Sequence, residues 1–428
     1  MRHPFIAKNS TGAKSIKPTN IADTSNNPPK KRSWFRFSLR SLLLLTALVA
    51  IVFAIIGGDI GKARRRAQDM RILRENGFEL SGYPTPTSYQ KTLMRFLPVE
   101  RVLAPTSATY NREPVAREQL EILARYPQWC SLNFTTPDDC DQTLRAGINN
   151  WREVDQLWLR GEAGNDAIPP LDQHQFLRSL HLNLPNCDSD ILPAIVQAPE
   201  LHDLAIQANL SDQSLADVLA MPSLWHLQIF GNQRITSAPF TETSNSSIRF
   251  LSVGETQFGD AGLQAVLKWP ELEKLYAWDT PIGDQAFVEF ETPQSSKLAA
   301  LRLPGTQVTS AALPGIAKLK NLQVLELSQT HVSDENLEVL ASLPSLDQLL
   351  LNDCLIMDEG FRKLRSPSLT EIELDHTLVT AAAFENIAER LPALRLCSII
   401  GCWRISAAEG KALQQLYPDI FFLGVENE

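Results

Sequence analysis

Phe230, Phe250, Tyr276 and Trp278 fall in three successive copies of one short sequence pattern, with His226, Lys274 and Arg302 at equivalent places around them. Aromatic rings and arginine dominate binding hot spots, so this set points to non-covalent recognition of another macromolecule. The competing reading is that the rings pack on one another and fill the hollow of a curved sheet. A second set, Glu371, Glu373 and Asp375 with Glu326 nearby, forms an acidic strip. It would suit a basic partner, although a run of charge is ordinarily a solvated face. Motifs for covalent chemistry are missing: there is no H-E-x-x-H and no G-x-S-x-G, and GGDIGK (57–62) is one residue short of a phosphate-binding loop. The six cysteines include no CxxC pair and the seven histidines are scattered, so no metal, cofactor or small-molecule substrate is expected. Cys130–Cys140 and Cys397–Cys402 are the pairs that a disulfide would join. The expectation is a non-enzymatic protein.

These side chains are positioned by a repeat. LQVLELSQTHVSDENLEVLASLPS (322–345) reads as strand, turn, helix and stop, and units of this kind begin at Leu177, Leu201, Leu224, Ile248, Leu272, Leu298, Leu322, Leu346, Leu369 and Leu394. Weaker units start at Val99, Trp129 and Val154, giving about 13 coils. Apolar residues at positions 4 and 6 give a short strand with one buried face, which turns positions 3, 5 and 7 to the other face. Position 5 then reads Trp158, His181, Ala205, Gln228, Ser252, Tyr276, Arg302, Glu326, Leu350, Glu373 and Ser398; position 7 includes Arg160, Asn183, Gln207, Phe230, Gly254 and Trp278. Thr256, Thr280, Thr306, Thr330 and Thr377 stand at position 9, as do Asn232, Cys354 and Cys402, with Asn209 there or one place on. A polar side chain at this place is expected to tie down backbone groups where the coil turns. VSD (332–334), FGD (258–260) and IGD (282–284) read as helix starts capped by Ser or Asp. Ordering one such unit costs more than its few buried aliphatics return, so units must stack.

The spacing L-x-x-L-x-L-x-x-[T/N/C]-x-[V/I] resembles a leucine-rich repeat. The resemblance implies an α/β solenoid, a horseshoe with parallel strands on the concave face and helices on the convex face. It also implies that positions 3, 5 and 7 look into the concavity.

Charge is distributed asymmetrically. Residues 1–40 carry nine Lys/Arg against one acid, Asp23, whereas 25 basic and 44 acidic residues lie beyond position 79. An acidic body would repel phosphates, which argues against nucleic acid as a partner, while the basic tail suits anionic lipid headgroups. Residues 41–58, SLLLLTALVAIVFAIIGG, carry no charge and are long enough to cross a bilayer. The long basic tail before them and KARRR (62–66) after them favour an uncleaved anchor over a cleaved signal. The expected organisation is a disordered basic tail (1–33), one transmembrane helix (34–61), a juxtamembrane helix and cap (62–98), and a repeat domain (99–428). RFSLRSLLLL (36–45), the span, the basic helix 62–80 and units of T-x-[VIF]-[TSG]-D-x-[GN]-L together resemble membrane-anchored leucine-rich repeat proteins of planctomycete bacteria. That resemblance implies a single-pass inner-membrane protein. The charges flanking the span are tied, and the rest of the tail tips the repeats to the outside of the cytoplasm. The expected function is binding of a protein partner through the concave face. The alternatives are a structural, envelope-organising protein that associates through its edges, and a cytosolic scaffold tethered to the membrane.

Overall fold

The computed structural model describes Thr46 and residues 61–83, 104–111, 113–213, 215–243, 247–288 and 296–425. The chain divides into two compact units, 1–61 and 62–428, and almost all described residues belong to the second. No helix among the described residues is long and apolar enough to cross a membrane; the span 41–58, like the tail 1–33, lies outside them except for the helical Thr46.

The second unit is a repeat solenoid built on one sheet of 15 strands that pair in chain order. Its strands are β1 (Glu79–Ser81), β2 (Ser107–Thr109), β3 (Ser131–Thr136), β4 (Gln156–Gly161), β5 (Ser179–Asp188), β6 (Asp203–Asn209), β7 (His226–Ile229) and β8 (Phe250–Ser252). They continue as β9 (Lys274–Tyr276), β10 (Ala300–Arg302), β11 (Val324–Glu326), β12 (Gln348–Leu350), β13 (Glu371–Glu373), β14 (Leu396–Ser398) and β15 (Phe421–Leu423). β1 is antiparallel to β2, and every later pairing is parallel. The register keeps equivalent positions in columns: Leu275, Leu301, Leu325, Leu349, Ile372 and Cys397 stand side by side. These residues, and the position-6 residues Ala277, Leu303, Leu327, Leu351, Leu374 and Ile399, are at most 4% exposed. The return segments are short, a few residues of α- or 3₁₀-helix such as Asp260–Val266 and Leu337–Ser342, whose Leu263, Val266, Leu337 and Leu340 fill the other side of the core. Helices occupy more width than strands spaced about 4.8 Å apart, so the sheet side is the inner one.

Position 9 closes each turn. The hydroxyls of Thr256, Thr280, Thr306, Thr330 and Thr377 donate at 2.6–2.9 Å to the carbonyl oxygen three residues earlier. Cys354 and Cys402 donate through sulfur to Leu327 O and Leu374 O in the preceding coil, both at 3.1 Å. Asn232 spans two coils, donating to Ile206 O and Phe230 O while Leu210 N donates to its Oδ1. These bonds tie down backbone groups at the turn, Leu327 O and Leu374 O each accepting from both the Thr hydroxyl and the Cys thiol.

Four expectations change. Asn209 is exposed and makes no such tie; Leu210 takes the buried place beside it. The first parallel strand is β2, in register with β3 as Ser107 with Ser131, which puts its coil six residues later than a start at Val99, itself outside the described residues. A further coil ends the sheet at β15, where apolar Phe422 pairs with Cys397. The aspartates at the helix starts do not cap their own helices. Asp260 accepts from Gly283 N, Asp284 from Thr309 N, Asp334 from Met357 N and Asp358 from Thr380 N, all at 2.7–2.8 Å. Asp212 does the same for Thr236 N. A carboxylate one coil back reaches the unpaired N–H of the next, so this column fastens coil to coil.

Residues 61–75 are helical and bury Met70 and Leu73 against the first coils. Asp69 on this helix accepts from Arg125 Nη1 at 2.6 Å and from the Tyr126 hydroxyl at 2.7 Å. Burial, reinforced by Asp69, pushes the Tyr126 phenol up to about 12. With β1, the helix covers the first edge of the parallel sheet.

Candidate functional site

Positions 3, 5 and 7 of every strand lie on the face turned away from the helices, so the register itself assembles the surface. The aromatic set is brought together. His226, Phe250 and Tyr276 stand on β7, β8 and β9. The imidazole meets the Phe250 ring edge-on at 4.3 Å, and Phe250 meets Tyr276 edge-on at 4.9 Å. The Arg302 guanidinium lies over the Tyr276 ring at 5.1 Å and reaches Glu326 Oε2 at 3.0 Å. Beside this row, Phe230 and Trp278 approach to 6.0 Å across the intervening coil. Gly254 makes that possible: a Cβ there would stand 2.1 Å from the Trp278 ring. The rings are half-buried, and Lys274 is exposed at the margin. They pack on one another, as the competing reading required, and still leave a ring surface open to solvent. Such edge-to-face pairs fix their geometry before any partner arrives.

One row further back, Asp203 sits between two histidines, 2.9 Å from His181 Nε2 and 3.0 Å from His226 Nδ1. The Ser179 hydroxyl donates to the same carboxylate at 2.9 Å. Burial opposes ionisation here, but the bonds from His181 and His226 outweigh it and hold the Asp203 carboxyl well below the usual range. The sequence pattern did not mark this triad, because its members lie 22 to 23 residues apart in three different coils.

The acidic strip is a different kind of object. Gln348 Nε2 donates to Glu371 at 2.8 Å and Asn352 Nδ2 donates to Glu373 at 2.6 Å. Asp375 Oδ1 accepts from Ser398 Oγ at 2.6 Å and from Ile400 N at 2.7 Å. Glu326 is engaged by Arg302, yet burial pushes its carboxyl up, with a smaller contribution from Glu373. These carboxylates have neighbours from the sheet itself.

No group of three or more His, Cys, Asp or Glu among the described residues is placed to hold a metal ion. All six cysteines are free thiols, so neither Cys130–Cys140 nor Cys397–Cys402 is a disulfide. Cys402 is instead occupied by Leu374 O and Thr377. Burial pushes the Cys187 thiol up to about 12 and raises Cys354 and Cys402 as well, which keeps them protonated and unreactive.

No family matches the chain, and neither does any curated protein. Among solved structures, Rad7 in complex with Elc1 from yeast is similar at 17% identity over 91% of this chain and 98% of that one, with a TM-score of 0.48. An internalin, inlF, from Listeria monocytogenes is similar at 18% identity over 72% of this chain and 92% of that one, with a TM-score of 0.46.

Proposed function

We propose that this chain is a single-pass, membrane-anchored leucine-rich repeat protein that binds a protein partner through the concave face of its solenoid. The observation that carries the reading is the row His226–Phe250–Tyr276–Arg302 with Phe230 and Trp278 beside it. It is a contiguous, preformed surface of rings and guanidinium on rigid interior strands. Rigid strands present it without an ordering cost on binding. The uncharged span 41–58 supplies the anchor, with the basic tail inside and the repeats outside the cytoplasm of a bacterial cell.

Two measurements test it. A photoreactive phenylalanine at position 276 should crosslink one defined protein in cells, whereas the same group at Gln415, exposed on the helix Ala407–Leu416, should not. Equal crosslinking from both positions would refute the concave-face reading. External protease applied with the inner membrane sealed should remove a C-terminal epitope; protection until lysis would reverse the topology and make the chain a cytosolic scaffold. A second reading, structural association through edges, is favoured by one observation: Phe421, at 59% exposure, and Leu416, at 66%, lie beside the open edge of β15.

A further inference from the structure

The concave face also holds an open cleft that borders the aromatic set at Phe230. A cavity of about 160 Å³ lies over β4 to β7, lined by Asn133, Trp158, Arg160, His181, Ala205 and Phe230 among others. It adjoins a second of about 300 Å³ towards the C-terminal ends of the strands, with Asn209, Gln233 and Arg234 in its wall. The two meet at Asn183 and Gln207, which are register partners on β5 and β6. Ala205, the small position-5 residue between His181 and Gln228, makes the floor low. Gly231, with φ +69°, leaves room for the Gln207 amide, which would stand 3.1 Å from a Cβ there.

The polar groups differ in kind from those of the acidic strip. The Asn183 and Gln207 amides line both cavities and make no side-chain hydrogen bond with another described residue, as is also true of Asn209 in the wall. Arg160 is held in place by the amide oxygens of Asn111 and Asn133, both at 3.2 Å, which leaves other guanidinium N–H groups to donate. Trp158 stacks on His181 at 4.3 Å and stays 39% exposed. The nearest carboxylates are committed elsewhere: Asp203 to the two histidines and Asp188 to Asn165. No carboxylate lines either cavity, in a body whose net charge beyond position 79 is negative.

We propose that this cleft is a binding site for a linear glycan of neutral pyranose units. Adjacent ring hydroxyls each offer a donor and an acceptor, which a side-chain amide matches with both of its atoms. The C–H faces of a pyranose lie against an indole or phenyl ring, and Trp158 and Phe230 stand at the two sides. Extended peptides take main-chain bonds from a sheet edge, and β4 to β7 are interior strands with both edges paired; helical or proline-rich peptides need an apolar groove. Two arginines are too few for a nucleic acid backbone. This site shares Phe230 with the aromatic set but not Phe250, Tyr276 or Trp278, so loss of sugar binding in the Asn183 and Gln207 variants and loss of crosslinking at position 276 are read separately.

The test is titration of the full chain, in a detergent without a sugar headgroup, with fully N-acetylated chitotetraose and with cello-, xylo- and laminari-tetraose in turn, followed by calorimetry. At least one should bind saturably. Asn183→Ala and Gln207→Ala should each weaken it at least fivefold, and the double variant should abolish it with an unchanged melting temperature. Trp158→Phe, which keeps a ring, should retain measurable binding where Trp158→Ala does not. The proposal is overturned if none of the four sugars saturates, if the amide double variant binds like the parent, or if only a pool of capped octapeptides binds there.

Discussion

The ring row on β7 to β10 and the acidic strip on β11 to β13 occupy the same columns of one sheet, yet they are built differently. In the strip, the carboxylates are met by donors from neighbouring coils: Gln348, Asn352, Ser398, the Ile400 amide and Arg302. In the row, Phe250 and Tyr276 meet their neighbours through ring contacts and keep much of their surface open, and only the flanking His226 and Arg302 are tied to carboxylates, Asp203 and Glu326. Position on the open face thus does not by itself distinguish a group left open from one engaged by the sheet. What distinguishes them is whether the bonding capacity is already spent.

The sharpest way to break this comparison is to truncate on each side and measure both binding and stability. Tyr276→Ala combined with Trp278→Ala should weaken the crosslinked partner by about 30-fold or more, the scale of a hot-spot loss. Loss of binding from Glu371→Ala instead would exchange the roles of the two regions. Asp375→Ala removes the acceptor of two charged hydrogen bonds and should cost about 2 kcal/mol in urea unfolding, with partner affinity unchanged. A stability loss below that of the ring double variant would contradict the structural role of the strip.

Acid sharpens the contrast from the other direction. Asp203 titrates lower in the folded chain than the usual value near 3.9, so its stabilisation is complete above about pH 4 and is lost as pH falls through the folded value. The stability gap between the parent and Asp203→Asn should be present at pH 5 and narrow below about pH 4; a gap that widens in acid would show the sign to be wrong. The smallest effect belongs to Glu326→Gln. Burial raises that carboxyl despite Arg302, so ionisation contributes little, and the change should stay within about 0.5 kcal/mol at pH 7. A larger loss would move Glu326 out of the strip and into a dedicated pair with Arg302.

Most of the coil was legible because its signal repeats. One leucine column is ambiguous, but ten aligned starts are not, and the threonines at position 9 make the bonds their spacing implied. The aspartates were misread for a physical reason: a residue at a helix start has a local use as a cap, and only the stacked coils reveal the longer reach to Gly283, Thr309, Met357 or Thr380. Partners 22 to 25 residues away also explain why the engaged state of Asp375 and the His181–Asp203–His226 cluster escaped notice. A signal for the cleft did exist. Asn183 and Gln207 stand consecutively at position 7, flanked by Arg160 and Phe230, and amides in that column are where free hydrogen-bonding capacity would collect. β15 was missed because Phe421–Leu423 lacks the leucine frame of the other units.

The aspartate column has a mechanical consequence. Each carboxylate joins one coil only to the next, so tension applied along the chain loads these links in series, not all at once. Stretched between optical traps from the β15 end, the solenoid should lengthen in a staircase, each step releasing one coil of roughly 80 Å. With Asp334→Ala the step that frees its neighbour should come at lower force while the others keep theirs, whereas a single rip of the whole domain would mean that the coils share their load.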